Sequence, residues 1–312
     1  MIWLMQDMVL HRPYLKGTKM NIQLLVNGIS LGAIYALIAV GFAVIYSVLK
    51  FSNFAHGGMI GATAYIAYFF HTGINPTPPL ALTVIVSALA GMVMAILIDT
   101  LAYRRIRKRN SPRIYYFVAS VTVGILIESF LSATLGTNYM GFGRIFDKSS
   151  FNIGEIVFST FDMVALLVSL VLLFALAMVI NKTKIGLAIR SVAINSETSK
   201  LMGINSNTII TLCFVIAGLL AGVNGALLGI KYTVTPSLGS SMITKGFISS
   251  VIGGLGSLSG AIAGAFLLGI LEMTITYFLG SNITPLLEFI VLLLFLFLRP
   301  QGIAGKIVAD KV

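Results

Sequence analysis

Nine predominantly apolar stretches divide the chain, at residues 24–49, 53–70, 80–101, 114–136, 161–180, 208–230, 243–259, 261–279 and 284–298. Most match the roughly 20 residues with which a helix crosses a bilayer, and none alternates with the ten-residue rhythm of a membrane barrel strand. The pattern predicts an all-α polytopic transmembrane helical bundle of eight or nine membrane segments, because inside lipid every backbone polar group must be satisfied within the helix. The connections are short, so one membrane domain over residues 20–305 accounts for the chain, followed by a tail at 306–312. Residues 1–19 are polar and irregular and read as an N-terminal extension, with Met20 as the expected natural start. The stretch from Leu24 to Leu49 is too long for a cleaved signal and is expected to stay as an anchor.

The polar interruptions set sidedness. Between Tyr103 and Arg113 stand Arg104, Arg105, Arg107, Lys108, Arg109 and Arg113, a cluster expected on the cytoplasmic side. Two segments later comes a polar island, Asn181 to Asn207, with Lys182, Lys184, Arg190 and Lys200, which an even number of crossings returns to that side. Four further segments bring Arg299, Lys306 and Lys311 there too, provided that the glycine-rich run Ile243 to Ser259 crosses rather than re-enters. Three segments before Arg104 would place Arg12, Lys16 and Lys19 outside. One of the three is therefore expected not to be a plain span, and Phe51 to Phe70 is the candidate, since it opens on Ser52-Asn53-Phe54-Ala55-His56-Gly57-Gly58; irregular backbone at membrane depth needs protein cover or a cavity.

Composition agrees with the pattern: 57% of residues are hydrophobic, only 10% are charged, and the mean hydropathy is +0.98. The net charge of +11 sits in short loops between apolar stretches, which points to membrane sidedness rather than to nucleic acid. The single cysteine, Cys213, reads as packing. There is no His-Glu-x-x-His, no Gly-x-Ser-x-Gly and no phosphate-binding G-x-x-x-x-G-K-[ST], so neither enzyme chemistry nor ATP hydrolysis by that loop is expected of this chain.

Within the island, Asn195 or Ser196 can cap a helix over Ser196 to Met202, Glu197 suits its first turn, Lys200 lies three residues on, and Gly203 can supply a left-handed stop. A preceding helix over Ile185 to Ile194 carries Leu187, Ile189, Val192 and Ala193 as an apolar surface. Two such helices need covering, by a protein or by the bilayer surface. Glycine pairs four residues apart, among them Gly28 and Gly32, Gly57 and Gly61, and Gly218 and Gly222, predict close helix packing. Ionisable residues inside apolar runs are Asp99, Glu128, Lys231, Glu272 and Glu288. Asp99, Lys231 and Glu288 lie near segment ends, within reach of water. Glu128 and Glu272 either line an aqueous path or tie helices together. His56 reads as a hydrogen bonder at a helix end, and no deep paired charges are expected.

Three separated motifs resemble the LivH-type permeases of branched-chain amino acid ABC importers. They are Asn53-Phe54-Ala55-His56-Gly57 followed by Gly61-Ala62, the island's end from Asn195 to Asn205, and Arg299-Pro300-Gln301-Gly302-Ile303. Asn27 to Leu37 and Gly253-Gly254-Leu255-Gly256-Ser257 are also similar to family segments. Glu197-Thr198-Ser199, three spacers and Gly203 resemble the Glu-Ala-Ala-x-x-x-Gly loop that docks onto the ATPase, with Ser196, Thr198 and Ser199 as departures. Another departure is Arg105, where an Arg-Pro pair is common. The resemblance implies a type II ABC importer permease fold, in a bacterial inner membrane. It also implies a LivM-like second permease, two cytoplasmic ATPases that bind the ATP, and an external substrate-binding protein. No cofactor is expected in this chain. ATPase coupling would fall to Gly186, Arg190, Ala193, Asn195, Glu197, Lys200 and Gly203, and Asn53, His56, Glu128 and Glu272 are candidate pathway or structural polar residues. The alternative is an ion-coupled secondary transporter or channel, active without an ATPase.

Overall fold

The computed structural model describes residues 18–304 except 110, 144, 146–149 and 154–155, with side chains from residue 22 onward. The predicted tail and most of the N-terminal extension, Arg12 and Lys16 included, lie outside the described residues. The expected boundary at Met20 falls inside a helix that already runs from Thr18.

In chain order the elements are α1 (Thr18–Leu49), α2 (Ala55–Gly73), α3 (Leu80–Ile98), a π-helical turn (Asp99–Tyr103), α4 (Arg104–Lys108) and α5 (Arg113–Leu135). A hairpin of β1 (Ser150–Ile153) and β2 (Ile156–Ser159) leads into α6 (Thr160–Lys182), α7 (Lys184–Ile194), α8 (Ser196–Leu201) and α9 (Ser206–Lys231). The chain then forms α10 (Leu238–Gly253), α11 (Leu258–Leu279) and α12 (Thr284–Leu298). Among the described residues six helices, α1, α3 continued through α4, α5, α6, α9 and α11, are long and apolar enough to cross a membrane. The described residues are mostly helical, as expected, and the hairpin is the exception to an all-α reading. Its strands are antiparallel and only four residues each, with Phe151 stacked on Phe158 at 5.6 Å, too short for alternation to be legible in the sequence.

The helix α1 is the axle of the bundle, packed against α6, α9, α10 and α11 and buried from Ser30 to Ile45. Its glycines allow that. A methyl group on Gly28 would lie 2.7 Å from Cα of Ile270, and one on Gly32 would lie 2.8 Å from Cα of Phe266, so α1 and α11 meet backbone to backbone. Gly91 of α3 does the same against Gly218 and Gly222 of α9. The outer helices α3, α5, α6 and α12 keep apolar faces exposed, among them Leu126, Phe130, Phe174 and Leu293. Such faces suit lipid or neighbouring membrane subunits.

Two ends of the bundle can be told apart. The basic end gathers α4, the α7–α8 island and the glycine turn between α10 and α11. There Ile303 N donates to Ile252 O at 2.9 Å and Ala304 N to Gly253 O at 3.0 Å, so the Arg299 to Ile303 motif staples that turn. At the opposite end Gln23 brackets β2, donating to Val157 O at 2.9 Å and accepting from Val157 N at 3.0 Å. The start of α1 therefore lies opposite Arg104, against the expectation that one of the first three segments fails to span. The helix α2 is continuous, and the irregular backbone is confined to residues 50–54. These tuck beside Ser120, which accepts from Phe54 N and donates to Ser52 O, each at 3.2 Å. That is about 10 Å along α5 from Arg113 at 1.5 Å per residue. Protein covers it, with Phe51 and Asn53 buried.

Candidate functional site

The island folds as the capping residues dictate. The Thr183 hydroxyl accepts from Gly186 N at 3.1 Å and starts α7; the Asn195 side chain accepts from Glu197 N at 2.9 Å and Thr198 N at 3.1 Å and starts α8. Gly203, at φ +83°, ends α8 in the left-handed conformation, with Gly203 N bonded to Lys200 O and Ile204 N to Ser199 O, both at 3.0 Å. Asn205 then caps α9, and Ser206 Oγ donates to Ser196 O at 2.9 Å, clamping α8 to the start of α9.

One face of the island is anchored and the other is free. Gly186 is buried so tightly against the Ile180 carbonyl that a side chain there would collide with it, and the Arg190 guanidinium donates to the same carbonyl. Ile189 and Val192 are buried, where α7 packs on α1, α6 and α9, so half of the apolar surface expected for a partner is used within the chain. Of the other coupling candidates, Ala193 is half-buried while Arg190, Asn195, Glu197, Lys200 and Gly203 are exposed. The free face also carries Ile194 and Leu201, each 87% exposed, and Met202, 78% exposed. Helical periodicity did not single these out because they flank the caps rather than repeat along a helix.

The island is wired to the basic cluster through an ion pair that the sequence did not disclose. Asp99 was expected to reach water, yet it is fully buried: Arg107 grips it with Nη1 to Oδ1 at 2.5 Å and Nη2 to Oδ2 at 3.1 Å, and Thr211 of α9 donates to Oδ2 at 2.6 Å. Arg107 Nε also reaches Asn207 Oδ1 at 3.3 Å. The π-helical turn supplies the register that brings Arg107 back over Asp99.

The four remaining candidates do not form one site. Asn53 is buried and accepts from the Tyr103 hydroxyl at 2.7 Å. His56 is buried with its ring against Gly41, and among the described residues neither ring nitrogen has a hydrogen-bond partner, so it is not the helix-end hydrogen bonder expected. Glu128 is half-buried on α5, with no ion pair or hydrogen bond among the described residues. Glu272 belongs to a charge cluster: Lys245 Nζ lies 2.8 Å from Glu272 Oε1 and 2.7 Å from Glu288 Oε1. This overturns two expectations, that deep paired charges are missing and that Glu288, 2% exposed, reaches water. Lys245 escaped notice because it sits among serines and glycines at a weak hydropathy position.

Known proteins place this architecture. The family model described as branched-chain amino acid transport system / permease component matches residues 24–298. The chain is 31% identical over 304 residues to the high-affinity branched-chain amino acid transport system permease protein BraD of Pseudomonas aeruginosa, covering 93% of this chain and 98% of that one. It is 30% identical over 305 residues to LivH of Escherichia coli K12, covering 93% and 97%. A probable LivH of Methanocaldococcus jannaschii is 29% identical over 289 residues, covering 86% and 88%. With the family model matched over residues 24–298 and these relatives over most of both chains, the chain belongs to the family of permease components of branched-chain amino acid transport systems.

Proposed function

We propose that this chain is a membrane-spanning permease subunit of an ABC importer that carries branched-chain or closely related amino acids into the cytoplasm, driven by ATP hydrolysis on separate subunits. The observation that carries the reading is the exposed half of the island, with Ile194, Leu201 and Met202 standing beside Glu197 and Lys200 at the basic end. An apolar patch with a charged rim, held on capped helices, suits a protein partner. In this reading the basic end is cytoplasmic by its positive charge. Eight segments, α1 to α3, α5, α6, α9, α11 and α12, cross a bacterial inner membrane in a type II importer arrangement, and α10 runs from within the bundle to the basic end. A LivM-like second permease, two cytoplasmic ATPases and an external binding protein complete the assembly. The ATP belongs to those ATPases, and this chain contributes no catalytic or cofactor-binding residue of its own.

The same geometry supports a mechanism. Closure of the ATPases around ATP moves the island, and the island cannot lag, because α7 is packed on α1, α6 and α9 while Ser206 and the Asp99–Arg107–Thr211 pair tie α8 and α4 to the foot of α9. A rigid lever converts differential ATP affinity into two orientations of the bundle. The charge cluster at Lys245 is the one feature that favours the alternative, an ion-coupled carrier. Reconstitution of the permeases with and without the ATPase subunits decides: uptake that requires ATP and both components is expected, and uptake by the permeases alone along an ion gradient ends the importer reading.

A further inference from the structure

The helix α10 is unlike the others. It starts inside the bundle, where Gly239 meets Gly57 and Gly61 of α2, and it ends at the basic-end glycine turn. Its uncovered face is polar: Ser237, Ser240 and Ser241 are exposed, Thr244 is half-buried, and the i, i+3, i+4, i+7 spacing lines them up one above another, with Lys245 next to them. On a bundle whose outer helices leave apolar faces uncovered, such a stripe faces water rather than lipid.

The hydroxyls also have a direction. Ser240 Oγ donates to Ser237 O at 2.9 Å, Ser241 Oγ to Leu238 O at 2.9 Å and Thr244 Oγ1 to Ser240 O at 3.4 Å. With those bonds made, the oxygens keep lone pairs with which they can accept from a passing donor, an ammonium group among them. It leads to a cluster in which two carboxylates, Glu272 and Glu288, share the single ammonium of Lys245. Two of the three N–H donors of Lys245 are taken by them, and its Nζ lies 5.9 Å from the centroid of the Tyr35 ring. Glu272 Oε2 and the hydroxyl of the fully buried Tyr35 face one another beside it, an O–H that can donate to a carboxylate oxygen, and among the described residues neither has another partner. The phenol can serve Glu272 but brings no positive charge, so two carboxylates against one ammonium leave an excess of negative charge that a second ammonium group would balance.

We infer that the α10 hydroxyl stripe and the Glu272–Lys245–Glu288 cluster form a subsite on the translocation path that receives the α-ammonium group of the amino acid cargo. The inference rests on the importer reading. Glu272 Oε2 and the Tyr35 hydroxyl accept from the ammonium, Lys245 holds the two glutamates in place, and Ser237, Ser240, Ser241 and Thr244 replace water for the ammonium on its way.

The test uses the complete transporter in proteoliposomes, with its binding protein outside, ATP inside and radiolabelled leucine as probe. Glu272→Gln should lower leucine uptake about tenfold, the worth of one hydrogen bond to a charged group, while ATP hydrolysis stimulated by the loaded binding protein and the melting temperature stay near wild type. Uptake within twofold of wild type overturns the subsite, as does a parallel fall in uptake, hydrolysis and melting temperature, which marks a structural tie. A wild-type complex that takes up no leucine brings down the importer reading itself. If Glu272→Gln does not assemble, Ser240→Cys and Thr244→Cys decide, since the natural Cys213 is buried and gives little background. A membrane-impermeant thiol reagent should label both and spare Leu293→Cys on the apolar face of α12. Leucine should slow that labelling about threefold and its deaminated counterpart, 4-methylpentanoate, should not; labelling that is absent, or equally affected by both compounds, overturns the proposal.

Discussion

Asp99 and Arg107, on either side of a π-helical turn, form a two-pronged ion pair whose side chains are 0% and 7% exposed. Because Thr211 donates to the same carboxylate, this pair is the joint between the basic loop and the foot of α9. Breaking a buried pair by removing one partner costs about 3–5 kcal/mol, since the other charge is stranded. Arg107→Ala should therefore lower the melting temperature of the purified permease markedly. Arg107→Lys should recover only part of the loss, because an ammonium cannot reproduce the fork that meets both oxygens. Equal melting of Arg107→Lys and wild type would show that the second prong is idle.

Gly203 holds a φ of +83° with open space around the position of a side chain, so only backbone strain opposes substitution there. Gly203→Val should cost about 1–3 kcal/mol locally, distorting the end of α8 without touching the bundle. The expected result is normal membrane insertion with loss of ATPase co-purification. Glu197→Lys tests the same surface by charge. As an exposed first-turn residue it is worth only about 0.3–1 kcal/mol to its helix, so a large drop in co-purification reports a contact with the partner rather than unfolding. Normal recovery of the ATPase with both variants would count heavily against the coupling role.

Ile194, Leu201 and Met202 give that surface its apolar content. Buried in a partner cleft, each large apolar side chain contributes about 1.5–3 kcal/mol, and in isolation each contributes nothing to stability. Ile194→Ser with Leu201→Ser should thus weaken ATPase binding by well over tenfold in a titration of detergent-solubilised components, while the melting temperature of the permease alone stays constant or rises. A fall in that melting temperature with unchanged binding would place these residues in the fold instead.

The sequence made the helices legible wherever one physical rule governs a long run of residues. Apolar length located α1, α3, α5, α6, α9 and α11, and capping chemistry located α8 to within a residue, from Asn195 to Gly203. What it hid were pairings between distant segments. Asp99 looks like a segment end until Arg107 folds back over it, and Lys245 looks like one polar residue in a weak, glycine-rich segment until α11 and α12 bring Glu272 and Glu288 to it. The apolar residues of the island show the same limit. Periodicity marks Ile189 and Val192 as a face, but only the packing of α7 reveals that the face is spent on α1, α6 and α9.

Lys245 is where stability and transport can be separated. Its ammonium is shared between two carboxylates, one of them 2% exposed, so Lys245→Met leaves like charges facing one another without a counter-ion. The loss should reach about 3–5 kcal/mol, read as a large drop in melting temperature. Adding Glu288→Gln removes one of the stranded charges, and the double variant should melt well above Lys245→Met alone. Such positive coupling is the signature of charges in contact, whereas additive losses would mean that Lys245 acts on Glu288 only through packing. Uptake behaves differently in the same series. The double variant keeps Glu272 but loses the group that holds it in place, so its stability returns while leucine uptake remains low. Recovery of both together would make the cluster a brace between α10, α11 and α12 with no role in moving cargo.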